Sequence, residues 1–141
     1  MTPADQEFTH DPENGQHGDC QRAVLASLLD LPLQSVPHFL RDEKEGGVEF
    51  WQGIADFCWS HGYVFMITPA GSTIKWASNV VYHAISGPSP RGNGVYHTVI
   101  GRNGKIVFDP HPSRAGLAGD HDEWTYEFLV RLGNQPPSDL D

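Results

Sequence analysis

The spacing of apolar residues divides the chain into a helical first half and an extended second half. Apolar side chains recur at helical intervals over 20–29, which predicts a helix that Pro32 ends. The same spacing over 48–61 predicts a second helix, with Gly62 at the position of its C-cap. A single short helical turn is predicted between them, over 33–40.

After Gly62 the pattern changes to that of β-strands. Apolar runs with β-branched and aromatic residues predict strands over 63–68, 79–86, 95–101, 105–109 and 124–132. Asn103 and Gly104 form a turn signal between the third and fourth runs, which predicts a β-hairpin there. In the last run, apolar residues such as Tyr126 alternate with mostly polar residues such as Glu127, which predicts a strand with one buried and one polar face.

The order of these elements predicts the fold class. Helices come first and an antiparallel sheet follows, which is typical of an α+β protein. With 141 residues, of which 38% are hydrophobic, the chain suits one domain over 1–141 with a substantial core. Residues 1–15 form a polar arm and 133–141 a polar tail. The N-terminal helices are expected to pack on the C-terminal sheet, because otherwise the core does not close.

Charge and cysteine content narrow the expected partners and compartment. The formal net charge is −9, with 9 Lys and Arg residues and no basic run, which disfavours nucleic-acid binding. No apolar stretch approaches the roughly 18 residues that span a bilayer, and no secretory signal pattern is present. Cys20 and Cys58 are too few for a disulfide framework. We therefore expect a cytoplasmic protein with free thiols and no membrane contact.

A polar turn delivers Cys20 to the start of the first predicted helix. Gly18 allows a close backbone approach before the cysteine, and Asp19 is placed to cap the helix through its carboxylate. The helix dipole favours a thiolate, so the pKa of Cys20 is predicted to lie below the ordinary value of about 8.5. These features are typical of a cysteine nucleophile, and a small buried apolar side chain is the alternative. Cys58, on the apolar face of the second helix, is predicted to be a core residue.

The predicted hairpin carries a candidate base for that thiol. His97 lies near the start of its first strand and Asp109 at the end of its second, so they can be cross-strand neighbours about 5 Å apart at the backbone. A carboxylate so placed would hold the imidazole in one tautomer, which predicts a Cys20–His97–Asp109 triad. His83, on the preceding strand, is an alternative base. His111 follows Asp109 and is a candidate for lining the site.

A metal site is the alternative interpretation of these polar residues. His97, Asp109, His111, Asp120 and His121 are together a possible ligand set for zinc. No closely spaced HxxxH or CxxC pattern supports this interpretation. We therefore expect neither a metal nor a cofactor.

These motifs resemble those of the papain-like cysteine peptidase superfamily. Bacteriocin-leader-processing peptidases combine a helix-start Cys with a His-Xaa-Val…Asp-Pro pattern on paired strands, and the matching residues here are His97-Thr98-Val99 and Asp109-Pro110. Residues 18–23 also resemble the nucleophile turn of ovarian-tumour-type deubiquitinases. The Gly-Asp-Cys start and the loop at 86–92 are similar to those of short uncharacterised phage-encoded proteins. The motifs span about 14–112.

The resemblance implies a papain-like fold and a thiol hydrolase that cleaves a peptide, isopeptide or other amide bond. It also implies an oxyanion-hole glutamine a few residues before the cysteine, for which Gln16 and Asn14 are candidates. The backbone N–H of Cys20 would be the second donor. Acyl transfer to an amine rather than to water is equally compatible with these residues. The alternatives are a catalytically silent papain-like binding module and a phage accessory protein that binds a host protein, in the host cytoplasm.

Overall fold

The computed structural model describes residues 1–92 and 94–133, and the predicted tail beyond Gly133 lies outside the described residues. The helices are α1 (Cys20–Leu28), α2 (Phe39–Lys44) and α3 (Phe50–Ser60). The strands are β1 (Tyr63–Ile67), β2 (Tyr82–Pro88), β3 (Tyr96–Arg102), β4 (Lys105–Phe108) and β5 (Thr125–Arg131). The predicted α+β class is confirmed, with the helices first and an antiparallel sheet after them.

The short helix between α1 and α3 differs from the prediction. The turn expected over 33–40 is a 3₁₀ turn at Leu33–Ser35, and α2 begins only at Phe39. The ring Nδ1 of His38 accepts the backbone N–H of Arg41 at 3.2 Å and so caps α2. Because a histidine rather than a serine supplies the cap, the start of this helix carried no ordinary sequence signal.

The five strands form one antiparallel sheet in the order β1-β5-β2-β3-β4. The predicted hairpin of β3 and β4 is confirmed, with Arg102 paired to Lys105. Its turn residues Asn103 and Gly104 have φ angles of 49° and 79°. Two consecutive left-handed residues give a two-residue hairpin turn, which explains the Asn-Gly pair.

Both faces of the sheet are covered. On one face Val24 of α1 packs against Ala84 of β2 and Ile100 of β3, all of them buried. On the other face a cluster that includes Ile85 and Val99 is covered by the loops before β2 and before β5. Among the described residues no single helix is long and apolar enough to cross a membrane, although Cys20–Leu28 and Leu33–Lys44, bent by 105° to each other, together have the length and composition for it.

Strand β5 departs from the expected single buried face. Tyr126 is buried as predicted, but Glu127 is only 1% exposed. Its carboxylate faces α1 and accepts a hydrogen bond from the Gln21 amide at 3.0 Å. The polar face of β5 is therefore covered by α1, and a partner 106 residues away satisfies its buried carboxylate.

The N-terminal arm is fastened along α1. The backbone N–H of Ala4 donates to the Ser27 hydroxyl at 2.8 Å, and that of Gln6 to the Pro110 carbonyl at 3.0 Å. The carboxylate of Asp19 accepts the backbone N–H of Phe8 at 2.8 Å. The prediction that this carboxylate caps α1 is therefore wrong, because it accepts no backbone N–H of the first turn. It holds the arm instead and accepts the Arg22 guanidinium at 3.2 Å.

Strand ends meet along one edge of the sheet, which we call the strand-end edge. They are Ile67 of β1, Thr125 of β5, Pro88 of β2, Tyr96 of β3 and Phe108 of β4. They lie side by side because neighbouring strands are antiparallel. Helix α1 also begins at this edge, since Cys20 lines the same cavity as Ile67, Tyr96 and Thr125.

Candidate active site

A cavity of about 700 Å³ runs along the strand-end edge. The start of α1 contributes Cys20 and the start of β3 contributes His97. The hydroxyl side chains of Ser86, Thr98 and Thr125 come from three neighbouring strands. The fold therefore brings the predicted nucleophile and the predicted base into one cavity.

Cys20 lies at the first position of α1, as the sequence predicts. The turn before it is tight, because a Cβ added to Gly18 would lie 3.2 Å from the backbone nitrogen of His10. The residue is partly exposed, whereas Cys58 is buried in the core as predicted. The chain thus presents one of its two thiols to the cavity.

The prediction of a lowered thiol pKa is wrong for this structure. Burial raises the pKa of Cys20 to about 11, and the carboxylates of Asp19 and Glu127 add to the effect. The backbone N–H groups of Thr98 and Gln21 act in the opposite direction but do not compensate. The cost of desolvating the thiolate therefore outweighs the stabilisation that the start of α1 gives it. In the resting protein the sulfur is a neutral thiol.

His97 and Asp109 form the best-defined polar pair of the site. Nε2 of His97 and Oδ1 of Asp109 are 2.7 Å apart, and the residues are 3% and 4% exposed. The same carboxylate accepts the backbone N–H groups of His111 at 2.8 Å and Gly116 at 2.7 Å. Asp109 lies just beyond the end of β4, so the loop that follows wraps around its carboxylate.

The ionisation states of this pair follow from burial and hydrogen bonding. Burial alone would raise the pKa of Asp109, but hydrogen bonds from His97, His111 and Gly116 outweigh it and the net pKa is lowered. Burial lowers the pKa of His97 more than Asp109 raises it. At neutral pH the pair is a carboxylate and a neutral imidazole. With its proton on Nε2, the ring keeps a lone pair on Nδ1.

Cys20 and His97 share the cavity without a hydrogen bond between their side chains. The side-chain hydrogen bond of the His97 ring goes to Asp109. The sulfur is faced by the backbone N–H groups of Thr98 and Gln21, the first of which comes from the residue after His97. The hydrogen bond between sulfur and imidazole that the predicted triad implies is thus not formed in the resting protein, although catalytic hydrogen bonds are often loose without substrate.

Asn14 and Gln16, the candidates for the oxyanion hole, do not line the cavity. The side-chain amide of Gln16 donates to the Thr9 carbonyl at 2.7 Å, and that of Asn14 to the Asp11 carboxylate at 2.6 Å. Both amides therefore stabilise the turn before Cys20. The two side chains do not reach the cavity because of the path that the arm takes, and no short motif specifies that path.

Gln6 is the glutamine that the arm does bring to the cavity wall. Its amide nitrogen donates to the Phe8 carbonyl at 2.6 Å, while its Oε1 is buried without a hydrogen-bond partner among the described residues. Sequence reasoning missed Gln6, because it lies 14 positions before Cys20 and reaches the site through the contacts that hold the arm, among them its own bond to Pro110.

A buried polar network lies between α1 and the sheet beneath the cavity. Glu127 accepts the Gln21 amide at 3.0 Å and the Ser86 hydroxyl at 2.7 Å, and Ser86 is also 2.7 Å from the Thr98 hydroxyl. Burial raises the pKa of Glu127, although the two donors partly oppose it. The network joins the start of α1 to β2, β3 and β5 and so fixes Cys20 relative to the strand that carries His97.

His83 and His111 differ in whether they reach the cavity. His83, the alternative base, is fully buried away from the cavity, where Nδ1 lies 2.9 Å from the Ala84 carbonyl and Nε2 accepts the Gly104 N–H at 3.0 Å. Both ring nitrogens are occupied, so the structure gives His83 no route to Cys20. His111 lines the cavity, and its ring lies 6.1 Å from that of His97 in a T-shaped arrangement.

Within 1–92 and 94–133, no group of three or more His, Cys, Asp or Glu side chains is arranged to hold a metal ion. The cavity wall instead carries the Cys20 thiol and the His97 imidazole, and the Asp109 carboxylate is bonded to that imidazole. The resemblance to papain-like peptidases stays an expectation that is based on the residue pattern. No protein-family model matches the chain, and neither the curated proteins nor the solved structures contain one that is significantly similar to it.

Proposed function

We propose that the protein is a papain-like thiol hydrolase that cleaves a peptide, isopeptide or other amide bond. The observation that supports this most is the buried His97–Asp109 pair, whose 2.7 Å hydrogen bond leaves Nδ1 as the basic nitrogen in the cavity of Cys20. A neutral imidazole held in one tautomer by an ionised carboxylate is the arrangement that a general base requires.

In the proposed reaction Cys20 attacks the carbonyl carbon of the substrate while its thiol proton passes to Nδ1 of His97. The C–N bond then breaks, and His97 returns this proton to the departing nitrogen. A water molecule next gives a proton to His97 and attacks the thioester carbon. Collapse of that intermediate breaks the C–S bond, releases the acid and restores the thiol. Asp109 keeps the imidazole oriented throughout.

The oxyanion that forms in each step needs hydrogen-bond donors. The start of α1 offers backbone N–H groups without partners in the helix, among them that of Cys20. The side chain of Gln6 is the nearest equivalent of the glutamine that the family resemblance implies, because it lines the cavity and Gln16 does not. We assign the second donor to Gln6, which requires its amide to leave the Phe8 carbonyl.

The high thiol pKa decides the form of the mechanism. With a pKa of about 11, Cys20 is almost entirely protonated at neutral pH, so His97 must remove the proton during attack. The pKa of His97 lies below its ordinary 6.5. We therefore expect kcat/KM to be level at neutral pH and to fall only in the acid range below about 6.5, where His97 becomes protonated.

A catalytically silent module that binds a peptide or a host protein is the second candidate, and as a phage accessory protein it would act in the host cytoplasm. The raised pKa of Cys20 and its missing hydrogen bond to His97 favour this candidate. The intact and well-oriented His97–Asp109 pair favours the hydrolase, because a binding surface has no need for a buried oriented base.

The experiment that tests the proposal measures turnover of a panel of fluorogenic peptide amides and esters. Cys20→Ala and His97→Gln are expected to abolish turnover. Cys58→Ala and His61→Gln are the matched controls, since they change the core cysteine and an exposed histidine, and they should retain it. A chelator should have no effect. Turnover that survives Cys20→Ala, or binding of the panel without any turnover, would reject the hydrolase.

A further inference from the structure

The cavity differs in charge from the rest of the protein. The chain has 18 Asp and Glu against 9 Lys and Arg, yet no described residue that lines the cavity is acidic. Its lining includes one arginine, Arg91, and three histidines. Because the pKa values of His97 and His111 are lowered, the positive charge of the lining at neutral pH comes from Arg91, which makes its end of the cavity cationic in an acidic protein. Such a region favours an anionic group on its ligand.

Arg91 is held at one end of this cavity. Its guanidinium donates to the Ser113 hydroxyl at 3.2 Å, and that hydroxyl lies 2.8 Å from Nδ1 of His111. The charge of Arg91 also contributes to lowering the pKa of His97 and His111. No ion pair within 4.0 Å joins Arg91 to a described carboxylate, whereas Arg22, for example, is paired. The guanidinium is thus positioned but not neutralised.

The other end of the cavity is apolar. Phe50 and Trp51 at the start of α3, Leu40 of α2 and Ile67 of β1 line it. Trp51 is 43% and Ile67 45% exposed. Exposed apolar side chains that line a cavity are typical of a surface that a ligand covers. Since Arg91 lies between β2 and β3, the apolar end at β1 is two to three strands away, which is about 10–14 Å at a strand spacing of roughly 4.8 Å.

The proposed reaction determines which end of the cavity binds the acyl part of the substrate and which end binds the leaving group. His97 must donate its proton to the departing nitrogen, so the leaving group lies on the His97 side of the sulfur and the acyl part on the other side. His97 belongs to β3 and lies beside His111 and Arg91. The leaving group therefore meets the cationic end, and the acyl part extends over β5 towards the apolar end at β1.

From this layout, which rests on the proposed hydrolase function, we propose that the substrate is an extended peptide with an apolar acyl segment and a carboxylate in its leaving segment, bound by Arg91. A cleft of about 10–14 Å accommodates about three to four extended residues at roughly 3.3 Å each. The carboxylate is either that of an acidic side chain or the free C-terminus of the leaving segment. A guanidinium can bind both through paired hydrogen bonds.

The test uses quenched fluorescent peptides with one common apolar acyl segment. The first two leaving-segment residues are Glu, Gln or Lys, and each peptide is made with a free or an amidated C-terminus. Wild type is expected to prefer the Glu over the Lys peptides by about two- to fivefold in kcat/KM, the ratio that corresponds to one partly exposed ion pair. A preference for free over amidated termini would identify the C-terminal carboxylate as the bound group.

The variants separate the role of Arg91 from a general charge effect. Arg91→Gln should remove the preference, and Arg91→Glu should reverse it in favour of Lys. Arg102→Gln is the matched control, because it removes an arginine at the opposite end of β3 and should leave the preference intact. Trp51→Ala should raise KM for the apolar acyl segment without changing the charge preference.

Binding of the same peptides to Cys20→Ala is measured by fluorescence anisotropy. This measurement distinguishes a failure of this inference from a failure of the proposed function. Turnover without any Arg91-dependent charge preference would overturn the inference and leave the hydrolase standing. Arg91-dependent binding of acidic peptides without turnover in wild type would reject the hydrolase and support the inference. Neither binding nor turnover across the whole set would overturn both.

Discussion

Replacing Asp109 with asparagine tests the part of the site that the structure defines best. The carboxylate accepts three hydrogen bonds, with His97 and the His111 N–H on Oδ1 and the Gly116 N–H on Oδ2. An asparagine has one acceptor atom and one donor atom at these two positions. In either orientation the amide N–H group therefore faces another hydrogen-bond donor inside a buried site.

The size of the effect follows from these contacts. If the amide nitrogen faces Gly116, one buried N–H group loses its acceptor, which costs about 1–3 kcal/mol. If it faces His97 instead, the imidazole must carry its proton on Nδ1, and it can no longer accept the proton of Cys20. We expect the melting temperature to fall by roughly 3–9 °C. Turnover should fall by up to about 10⁴-fold, as for the equivalent change in serine proteases.

Acid unfolding gives the prediction a second readout. The pKa of Asp109 is lowered in the folded protein, so its ionised form contributes stability above the ordinary value of 3.8, and this contribution is lost as the pH falls through the folded pKa. The asparagine variant lacks this dependence. The difference in melting temperature between the two proteins should therefore be largest at neutral pH and shrink below about pH 3.8.

His111→Ala is the control for this experiment. Its ring lines the cavity, but Asp109 bonds its backbone N–H, which alanine retains. We expect this variant to lose less than about tenfold in turnover, because the ring lies outside the proton path. Differential scanning calorimetry and turnover of the best panel substrate are the assays. An Asp109→Asn protein with wild-type turnover, or with a loss no larger than that of His111→Ala, would refute the role of Asp109.

Three further substitutions test the packing that supports the site. Glu127→Gln keeps an acceptor oxygen for the Gln21 amide, and its new N–H group can donate to the Ser86 hydroxyl, which can in turn donate to Thr98. The raised pKa of Glu127 makes wild type lose stability as the pH rises from 4.5 towards the folded pKa, so the variant should gain on wild type by up to about 1.4 kcal/mol per pH unit in that range, seen in urea unfolding at a series of pH values. Gly101→Ala should lower the free energy of unfolding by about 1–3 kcal/mol, because its Cβ would lie 2.7 Å from the buried ring of His83; an unchanged unfolding midpoint would contradict this close packing. Asp19→Ala removes the acceptor of the Phe8 N–H and should make the arm sensitive to limited proteolysis while the sheet stays protected, and resistance equal to wild type would show that the arm is held elsewhere.

The parts of the site that the sequence predicts are those with local signals. Asn103 and Gly104 specify the hairpin turn, and the turn places His97 and Asp109 near each other. The start of α1 at Cys20 was predictable from the glycine-containing turn and the apolar stripe behind it. In each case the pattern lies within a few residues of the feature that it specifies.

The features that sequence analysis misjudged depend on distant contacts. Glu127 appeared on a polar face because its partner Gln21 lies 106 positions away. The raised pKa of Cys20 results from burial between α1 and the sheet, which no local motif reports. Gln6 reaches the cavity because the arm runs back along α1 to Pro110. Such contacts become visible only when the chain is folded.

The most direct test of the account is to trap the acyl group on the enzyme. Wild type, His97→Gln and Cys58→Ala are mixed with an activated acyl ester such as p-nitrophenyl acetate and quenched in acid. Intact mass and peptide mapping then locate the acyl group. We expect rapid modification by one acyl group on Cys20 in wild type and Cys58→Ala, and slow or no modification in His97→Gln. Equal rates with and without His97, or acylation at sites other than Cys20, would contradict this expectation.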